Sequence, residues 1–411
     1  MQNKNVYIRK IEPGCYPSSL DADDYARVFL NNGYALVDKM DKASVVIICM
    51  CNVSENRVRE AFTRLKEASD LGVKVVLGGC CPEDLKDSIQ KRYGCFVFSP
   101  QEIHLLEKEF KFPQRRDQVM MRNMAKMEFY HPMVRLWRLK RSFLTHITGL
   151  LKRIGVPIAM TFENFLNTTY AYSPHTYFVR CAVGCIHNCS YCSTKLAKGP
   201  LVQSRNGADI VQEINAALEK GYDHFVLVAD DLSSYGLDRE MDFIALLRDI
   251  FSLGGKFSLT LFNLNPMYCV DHMDLFLECI IPGRIKSIHL VLQSGSDRIL
   301  ERMNRRYTKM NFMALANGVL SKDRNIALRT DVIVGFPGET QEDFEETLDV
   351  IRRIPFITIN GFRYDERAGT LASTFPDKIP NKIKIWRQRV LYFIFHWAVL
   401  RRRYGKKQVK S

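Results

Sequence analysis

The sequence predicts an α/β protein built from two parallel-sheet units in tandem, a Rossmann- or flavodoxin-like N-terminal domain and a partial (β/α)6 barrel of the TIM type. Three observations predict it. Short apolar runs alternate with amphipathic, helix-length runs over residues 1–108 and again over residues 171–380, which is how strands buried on both faces and joined by helices read. A length of 411 residues supports more than one core. Solenoid-type repeats and low-complexity tracts are lacking.

In the first unit, "NVYIRKI" reads as a strand, "DADDYARVFLNNG" as a helix and "ASVVIICM" as a buried strand. An amphipathic helix, "ENRVREAFTRLKEASDLG", and a further buried strand, "KVVLGG", follow. Ligands of such sheets collect at the carboxyl ends of the strands. Cys15 follows the first strand, Cys51 the second and Cys80 the third. Three thiols converging on one sheet edge suggest a metal site, and the neighbours Cys49 and Cys81 leave open which member of each close pair binds.

Residues 109–170 form a basic helical insertion or linker. In "HPMVRLWRLKRSFLTHITGLLKRIG", Val134, Trp137, Phe143, Ile147, Leu150 and Leu151 fall on one stripe with arginines and lysines between them. Packing against the protein itself competes evenly there with binding to a partner or a membrane surface. Beyond it, "TYFVR", "HFVLVA", "FSLTLFN", "SIHLVL", "IALRTDVIVG" and "TINGFRY" each end in a loop rich in polar residues or glycine. Six such steps fit a partial barrel with its chemistry at the strands' carboxyl ends. Residues 381–411 read as a basic, aromatic helix with a polar tail.

The loop after the first barrel strand holds Cys185, Cys189 and Cys192 in a C-x3-C-x2-C array. Three thiolates can hold three irons of a [4Fe–4S] cube and leave the fourth iron open to a ligand. A zinc knuckle normally uses paired C-x2-C units, and no second pair is near. Cys181 lies outside the spacing and reads as a packed thiol.

Together with the runs that follow it, this array resembles the radical S-adenosylmethionine (SAM) methylthiotransferase family. The matching runs are "SRNGADIVQEI", "LVADDLSSYGLD", "HLVLQSGSDRILERMNRRYT", "RTDVIVGFPGETQEDFEETL" and "YDERAGTLAS". The resemblance implies an enzyme that converts a substrate C–H bond to C–SCH3 with two [4Fe–4S] clusters and two molecules of SAM. It implies that Cys185, Cys189 and Cys192 hold the SAM-binding cluster, and that Cys15, Cys51 and Cys80 hold an auxiliary one. It also implies an electron donor of the flavodoxin or ferredoxin type.

Further roles follow from residue chemistry beside the resemblance. Arg205 can grip a carboxylate bidentately, as on SAM, or serve only as a helix-entry arginine. Gly335 and Gly338 let backbone approach a nucleoside, although a turn without ligand also favours them. Gln293, Ser294 and Ser296 can hydrogen-bond SAM or substrate, or cap the next helix. Asp230 and Asp231 face the substrate side, and Tyr191 stacks near the adenine or packs in the core. The outline of a cobalamin-binding domain is present at the N-terminus, but without an Asp-x-His-x-x-Gly element. Lys198, Ser18 and Val291 depart from the family's usual Arg, Asn and Pro.

About thirty residues follow Pro380, too few for the small β-barrel, the TRAM domain, with which family members acting on tRNA or on a ribosomal protein normally end. That departure favours a peptide or protein substrate, such as a ribosomally made peptide, with tRNA adenosine as the alternative and another single-cluster radical SAM reaction as a third reading. The charge pattern suits an anionic or flexible partner: net charge is +14, with eleven Lys/Arg against two acids in residues 111–153 and ten against none in residues 382–411. Twelve cysteines without a signal peptide or an integral membrane segment predict a reducing, cytoplasmic setting.

Overall fold

A computed structural model describes residues 4–11, 16–52, 54–112, 175–199 and 201–404. The insertion stripe at 134–151, the C-terminal tail and Cys15 fall outside the described residues.

The N-terminal sheet has five parallel strands, β1 (Asn5–Lys10), β2 (Ala35–Leu36), β3 (Val45–Met50), β4 (Lys74–Gly79) and β5 (Phe96–Val97), in the order β2-β1-β3-β4-β5. This is the doubly wound order whose crevice lies between the first and third strands. Helices α1 (Tyr16–Asn31), α2 (Glu55–Asp70), α3 (Glu83–Tyr93) and α4 (His104–Glu109) cover its two faces. Alternation along β3 sorts the faces: Val45, Ile47 and Cys49 pack with Tyr25 and Phe29 of α1, whereas Val46, Ile48 and Met50 pack with Ala61 and Leu65 of α2. The sequence predicts the three long strands and misses the two-residue β2 and β5.

The second sheet has six parallel strands in chain order, β6 (Thr176–Arg180), β9 (His224–Val228), β10 (Ser258–Leu264), β11 (Ile285–Leu290), β12 (Ala327–Val334) and β13 (Thr358–Arg363). Between β6 and β9 a short antiparallel pair, β7 (Ala182–Val183) with β8 (Gln203–Ser204), closes the base of the cysteine loop. The helices are α5 (Thr194–Lys198), α6 (Gly207–Glu219), α7 (Phe243–Ser252), α8 (Pro266–Asp271), α9 (Met273–Glu278), α10 (Asp297–Arg302), α11 (Lys309–Lys322), α12 (Gln341–Arg353) and α13 (Asn381–Tyr404). Their apolar faces meet Tyr177, Phe225, Leu261, Ile288 and Val334 in the main core. The six predicted βα steps are all present.

Helix α1 serves both units. Tyr16 packs on Phe178 and Phe262 of the barrel strands, with ring centroids 5.3 and 4.6 Å apart. Arg180, at the carboxyl end of β6, donates to Asp21 at 2.7 Å and lies 3.4 Å from Asp24. Lys198 reaches the same Asp21 at 3.4 Å and Asp230 at 2.8 Å. Arg180, Lys198 and Asp21 are at most 2% exposed, so this charge set is a dry seam in which each ion relies on its partners.

Helix α13 docks on the barrel. Leu391 and Phe395 are buried in the main core, Gln388 donates to the Gly361 carbonyl at 2.6 Å, and the Tyr392 hydroxyl accepts from the Gly361 N–H at 3.0 Å. Arg402 donates to the carbonyls of Ile351, Arg352 and Ile354, satisfying the free end of α12. No helix of the described residues is long and apolar enough to cross a membrane.

Candidate cluster and cofactor site

The three spaced cysteines sit on one loop at the carboxyl end of β6. Gly184 opens the loop at φ 88°, and a Cβ there would stand 2.3 Å from the Leu201 carbonyl oxygen, so the turn admits only glycine. The loop is pinned from outside: the Ser190 N–H donates to the Met303 carbonyl at 3.0 Å, its hydroxyl to the Arg302 carbonyl at 2.7 Å, and the Ala372 N–H to the Ser190 carbonyl at 2.7 Å. Within it, the Cys192 N–H donates to the Cys189 carbonyl at 3.1 Å.

Cys185, Cys189 and Cys192 are all partly exposed. The Thr194 N–H donates to Cys192 Sγ at 3.4 Å, and Arg305 Nη1 to Cys189 Sγ at 3.3 Å. Burial, and then Asp231, pushes the Cys185 thiol up; burial and Cys189 do the same to Cys192. Thiols whose pKa is raised by burial and by neighbouring anions hold no charge comfortably until a cation takes the proton's place, as for Cys185 and Cys192. Among the described residues no three His, Cys, Asp or Glu side chains converge tightly enough for a single ion. A cluster gives each thiolate its own iron, and three partly exposed thiols spaced along one loop fit that donor set.

The acids of the next strand end hold this loop. Asp230 accepts from the Gly184 N–H and from Lys198, both at 2.8 Å. Asp231 accepts from the Ser233 and Ser234 hydroxyls, each at 2.7 Å, and pairs with His187 at 2.9 Å. Burial pushes the Asp231 carboxyl up, but the bonds from His187, Ser233 and Ser234 outweigh it and its pKa is lowered. Both acids brace the loop in this structure instead of facing a substrate unengaged.

Gln293 follows β11 in the left-handed region at φ 65°, as does Asn263 near the end of β10 at φ 59°. Such strained non-glycine residues gather at functional sites. Gln293 Oε1 is buried with no partner among the described residues, and an orphaned acceptor at a barrel mouth fits a ligand donor. Tyr191 packs with Ile299, Ile333 and Phe336, beside the Gly335–Gly338 turn.

Other expectations land elsewhere. Arg205 donates to Glu213 at 2.6 Å and to the Arg180 carbonyl at 2.9 Å, so its guanidinium is already committed to α6. Ser294 is fully buried, shares a hydrogen with Thr347 at 3.4 Å and accepts from the Ser296 N–H. Ser296 caps α10. Gly335 and Gly338 adopt φ 72° and 77°, and a Cβ at Gly335 would meet Lys384 of α13 at 2.4 Å. The glycine turn is therefore also a packing site.

At the N-terminal sheet, Cys51 and Cys80 both lie just past strand ends, as expected. Cys51 accepts from Arg57 Nη1 at 3.3 Å. Cys80 is partly exposed, whereas Cys81 is fully buried, and burial pushes its thiol up to about 12. Cys49 points to the opposite face, against α1, where burial raises its thiol far above the ordinary range. Accessibility thus favours Cys80 over Cys81, whereas Cys49 and Cys51 are equally buried and differ in the face of β3 they belong to. Gly79 makes room for the Cys80 loop, since a Cβ there would meet the Met50 carbonyl at 2.6 Å.

Sequence reasoning assigned no role to Arg305, Tyr307, His187 or Arg57. Arg305 and Tyr307 stand inside a matched run, but nothing in "MNRRYT" separates the buried Arg305 from its neighbour Arg306.

Comparison with known proteins places this geometry. Residues 179–351 match the radical SAM superfamily, and residues 6–99 match the uncharacterized protein family UPF0004. A tRNA-2-methylthio-N(6)-dimethylallyladenosine synthase of Thermoanaerobacter sp. (strain X514) is 27% identical over 93% of this chain and 76% of its own length. A probable threonylcarbamoyladenosine tRNA methylthiotransferase of Methanocaldococcus jannaschii is 28% identical over 92% of this chain and 80% of its own. In fold, the chain is similar to the radical SAM methyltransferase TsrM of Kitasatospora setae, solved with cobalamin and a [4Fe–4S] cluster: TM-score 0.57, 14% identity, 90% of this chain and 77% of that one.

Proposed function

This chain belongs to the radical SAM methylthiotransferase family, and from that premise we propose that its substrate is an adenosine of tRNA, in which it replaces a C–H hydrogen by SCH3. Bound SAM and two [4Fe–4S] clusters supply the radical and sulfur chemistry of this enzyme class.

In this reading Cys185, Cys189 and Cys192 hold the first cluster, and Asp230, Asp231 and His187 keep their loop in shape. Gln293 Oε1 offers an acceptor to SAM or substrate, and Tyr191 with Phe336 forms an apolar wall beside it. Cys51 and Cys80, with Cys15, hold the second cluster at the crevice of the N-terminal sheet.

The observation that carries the tRNA reading is the match across both domains to relatives named as tRNA methylthiotransferases. The sequence alone favoured a peptide or protein substrate with tRNA adenosine as the alternative; that preference gains no support from these relatives, which fit the alternative better. The basic C-terminal segment is compatible with RNA: α13 leaves Arg389 and Arg401 exposed beside Trp386, Phe393 and Trp397, a mixture of cations and aromatic faces that suits phosphates and unstacked bases.

The test is nucleoside mass spectrometry of tRNA from cells lacking their own methylthiotransferases, with and without this chain. Methylthioadenosine that appears with the intact chain and not with a Cys185→Ala/Cys189→Ala/Cys192→Ala variant is the expected result. Unmodified tRNA from cells in which the loaded enzyme still cleaves SAM would overturn the substrate assignment.

A further inference from the structure

We propose that Arg305 is a positioning residue that sets the reduction potential of the cluster at Cys185, Cys189 and Cys192, through its N–H bond to the Cys189 sulfur. The proposal rests on those three cysteines being cluster ligands and is independent of the tRNA reading.

Arg305 is 7% exposed. All three arms of its guanidinium are fixed: Nη1 donates to Cys189 Sγ at 3.3 Å, Nη2 to the Val291 carbonyl at 3.2 Å and Nε to the Tyr307 hydroxyl at 3.2 Å. Tyr307 is itself tied, donating to the Val291 and Leu292 carbonyls at 3.1 and 2.7 Å. The Arg305 N–H donates to the Leu300 carbonyl at 2.8 Å, which anchors the residue just past α10.

Among the described residues no carboxylate pairs with Arg305. The other buried cations at this site have carboxylates: Arg180 has Asp21 and Asp24, and Lys198 has Asp21 and Asp230. A guanidinium is never deprotonated in a protein, and a buried cation requires an anion. Among the described residues Arg305 bonds two ionisable groups, the Tyr307 hydroxyl, which spends its own hydrogen on the Val291 and Leu292 carbonyls, and Cys189, whose thiolate is the form that ligates iron. The geometry therefore spends a permanent positive charge and a directed N–H on one cluster sulfur.

Hydrogen bonds to the sulfurs and net charge are two of the factors that set the potential of an iron–sulfur cluster. Reduction adds one electron from an external ferredoxin- or flavodoxin-type donor and makes the cluster more negative, while Arg305 keeps its proton. A fixed cation at the sulfur stabilises the reduced form more than the oxidised form, so it eases electron entry. Arg57 makes the corresponding 3.3 Å contact with Cys51, but from a partly exposed position where solvent screens its charge.

The experiment is a potentiometric titration, followed by electron paramagnetic resonance, of the reconstituted full-length chain without tRNA. The SAM-binding cluster is identified by the change in its signal when SAM is added. Parent, Arg305→Lys, Arg305→Gln and Arg305→Met are compared. The expected result is a reduction equilibrium about tenfold less favourable in Arg305→Met, a potential lower by about 59 mV for one electron, with Arg305→Lys closest to the parent. Variants that carry the parent's iron and titrate at the parent's potential overturn the proposal. Loss of iron from all three variants overturns it as well, because Arg305 would then serve assembly. A Cys189→Ala variant that keeps full iron would instead remove the ligand assignment on which the proposal rests.

Discussion

Arg387 on the C-terminal helix and Glu339 beside the Gly335–Gly338 turn form a buried ion pair, in which the guanidinium also donates to the Glu339 carbonyl at 3.1 Å. Glu339 returns the contact to the turn by accepting the Gly335 N–H at 2.6 Å. The pair thus links α13 to the glycine turn that the sequence offers as a place where backbone approaches a nucleoside.

Burial pushes the Glu339 carboxyl up to about 7, more than Arg387 and the Gly335 N–H pull it down. A carboxyl whose folded pKa is raised binds its proton more tightly in the folded chain. Its contribution to stability is fully present below about pH 4.5 and is lost as pH rises through about 7. Urea unfolding of the parent and of Glu339→Gln at pH 5 and pH 8 should show the parent losing up to about 3 kcal/mol relative to the variant across that range. Parallel pH profiles would mean that Glu339 is ionised throughout.

The fold was legible because both sheets are parallel and buried, so their strands read as apolar runs such as "VVIICM" and "HFVLV" against helices of a different period. β2 and β5 escaped because two residues cannot display a period. The positions of the cysteines were legible, Cys185, Cys189 and Cys192 on one loop because their spacing is local, and Cys51 and Cys80 just past strand ends because the strands before them read as apolar runs. Arg205 was not, because its partner Glu213 sits two turns into α6, and the ion pair exists only once that helix forms. The partners of Arg305 and Arg387 lie even farther off along the chain, at Cys189 and Glu339.

Cys80 and Cys81 should separate cleanly. Cys80→Ala is expected to lower iron in the reconstituted chain from about eight toward about four per molecule, while Cys81→Ala keeps its iron and loses stability through the small cavity it leaves. Iron and acid-labile sulfide analysis of the two variants decides between them, and the opposite pattern would make Cys81 the ligand.

Arg180 tests the seam between the domains. Arg180→Met removes one cation from the buried set it forms with Asp21, Asp24 and Lys198, an imbalance expected to cost about 3–5 kcal/mol. Chemical denaturation measures it. A loss below about 1 kcal/mol would mean that the seam admits water and that the two domains part easily.

The two faces of α13 should behave in opposite ways. Leu391 is fully buried, and Leu391→Ala should cost about 2–5 kcal/mol. Phe393 and Trp397 are 66% and 59% exposed, and replacing either with Ala should change stability by no more than about 0.5 kcal/mol. If tRNA lies along this outer face, Arg389→Ala and Arg401→Ala should each weaken tRNA binding and lower the salt slope by about one unit. Phe393→Ala should weaken binding with no change in that slope, because stacking releases no counterions. Titrations of the full chain with tRNA at several salt concentrations read both effects. If all three variants keep the parent's affinity and slope, α13 is a strut for the barrel, and the RNA-binding surface must be sought at the mouth that carries the cysteines.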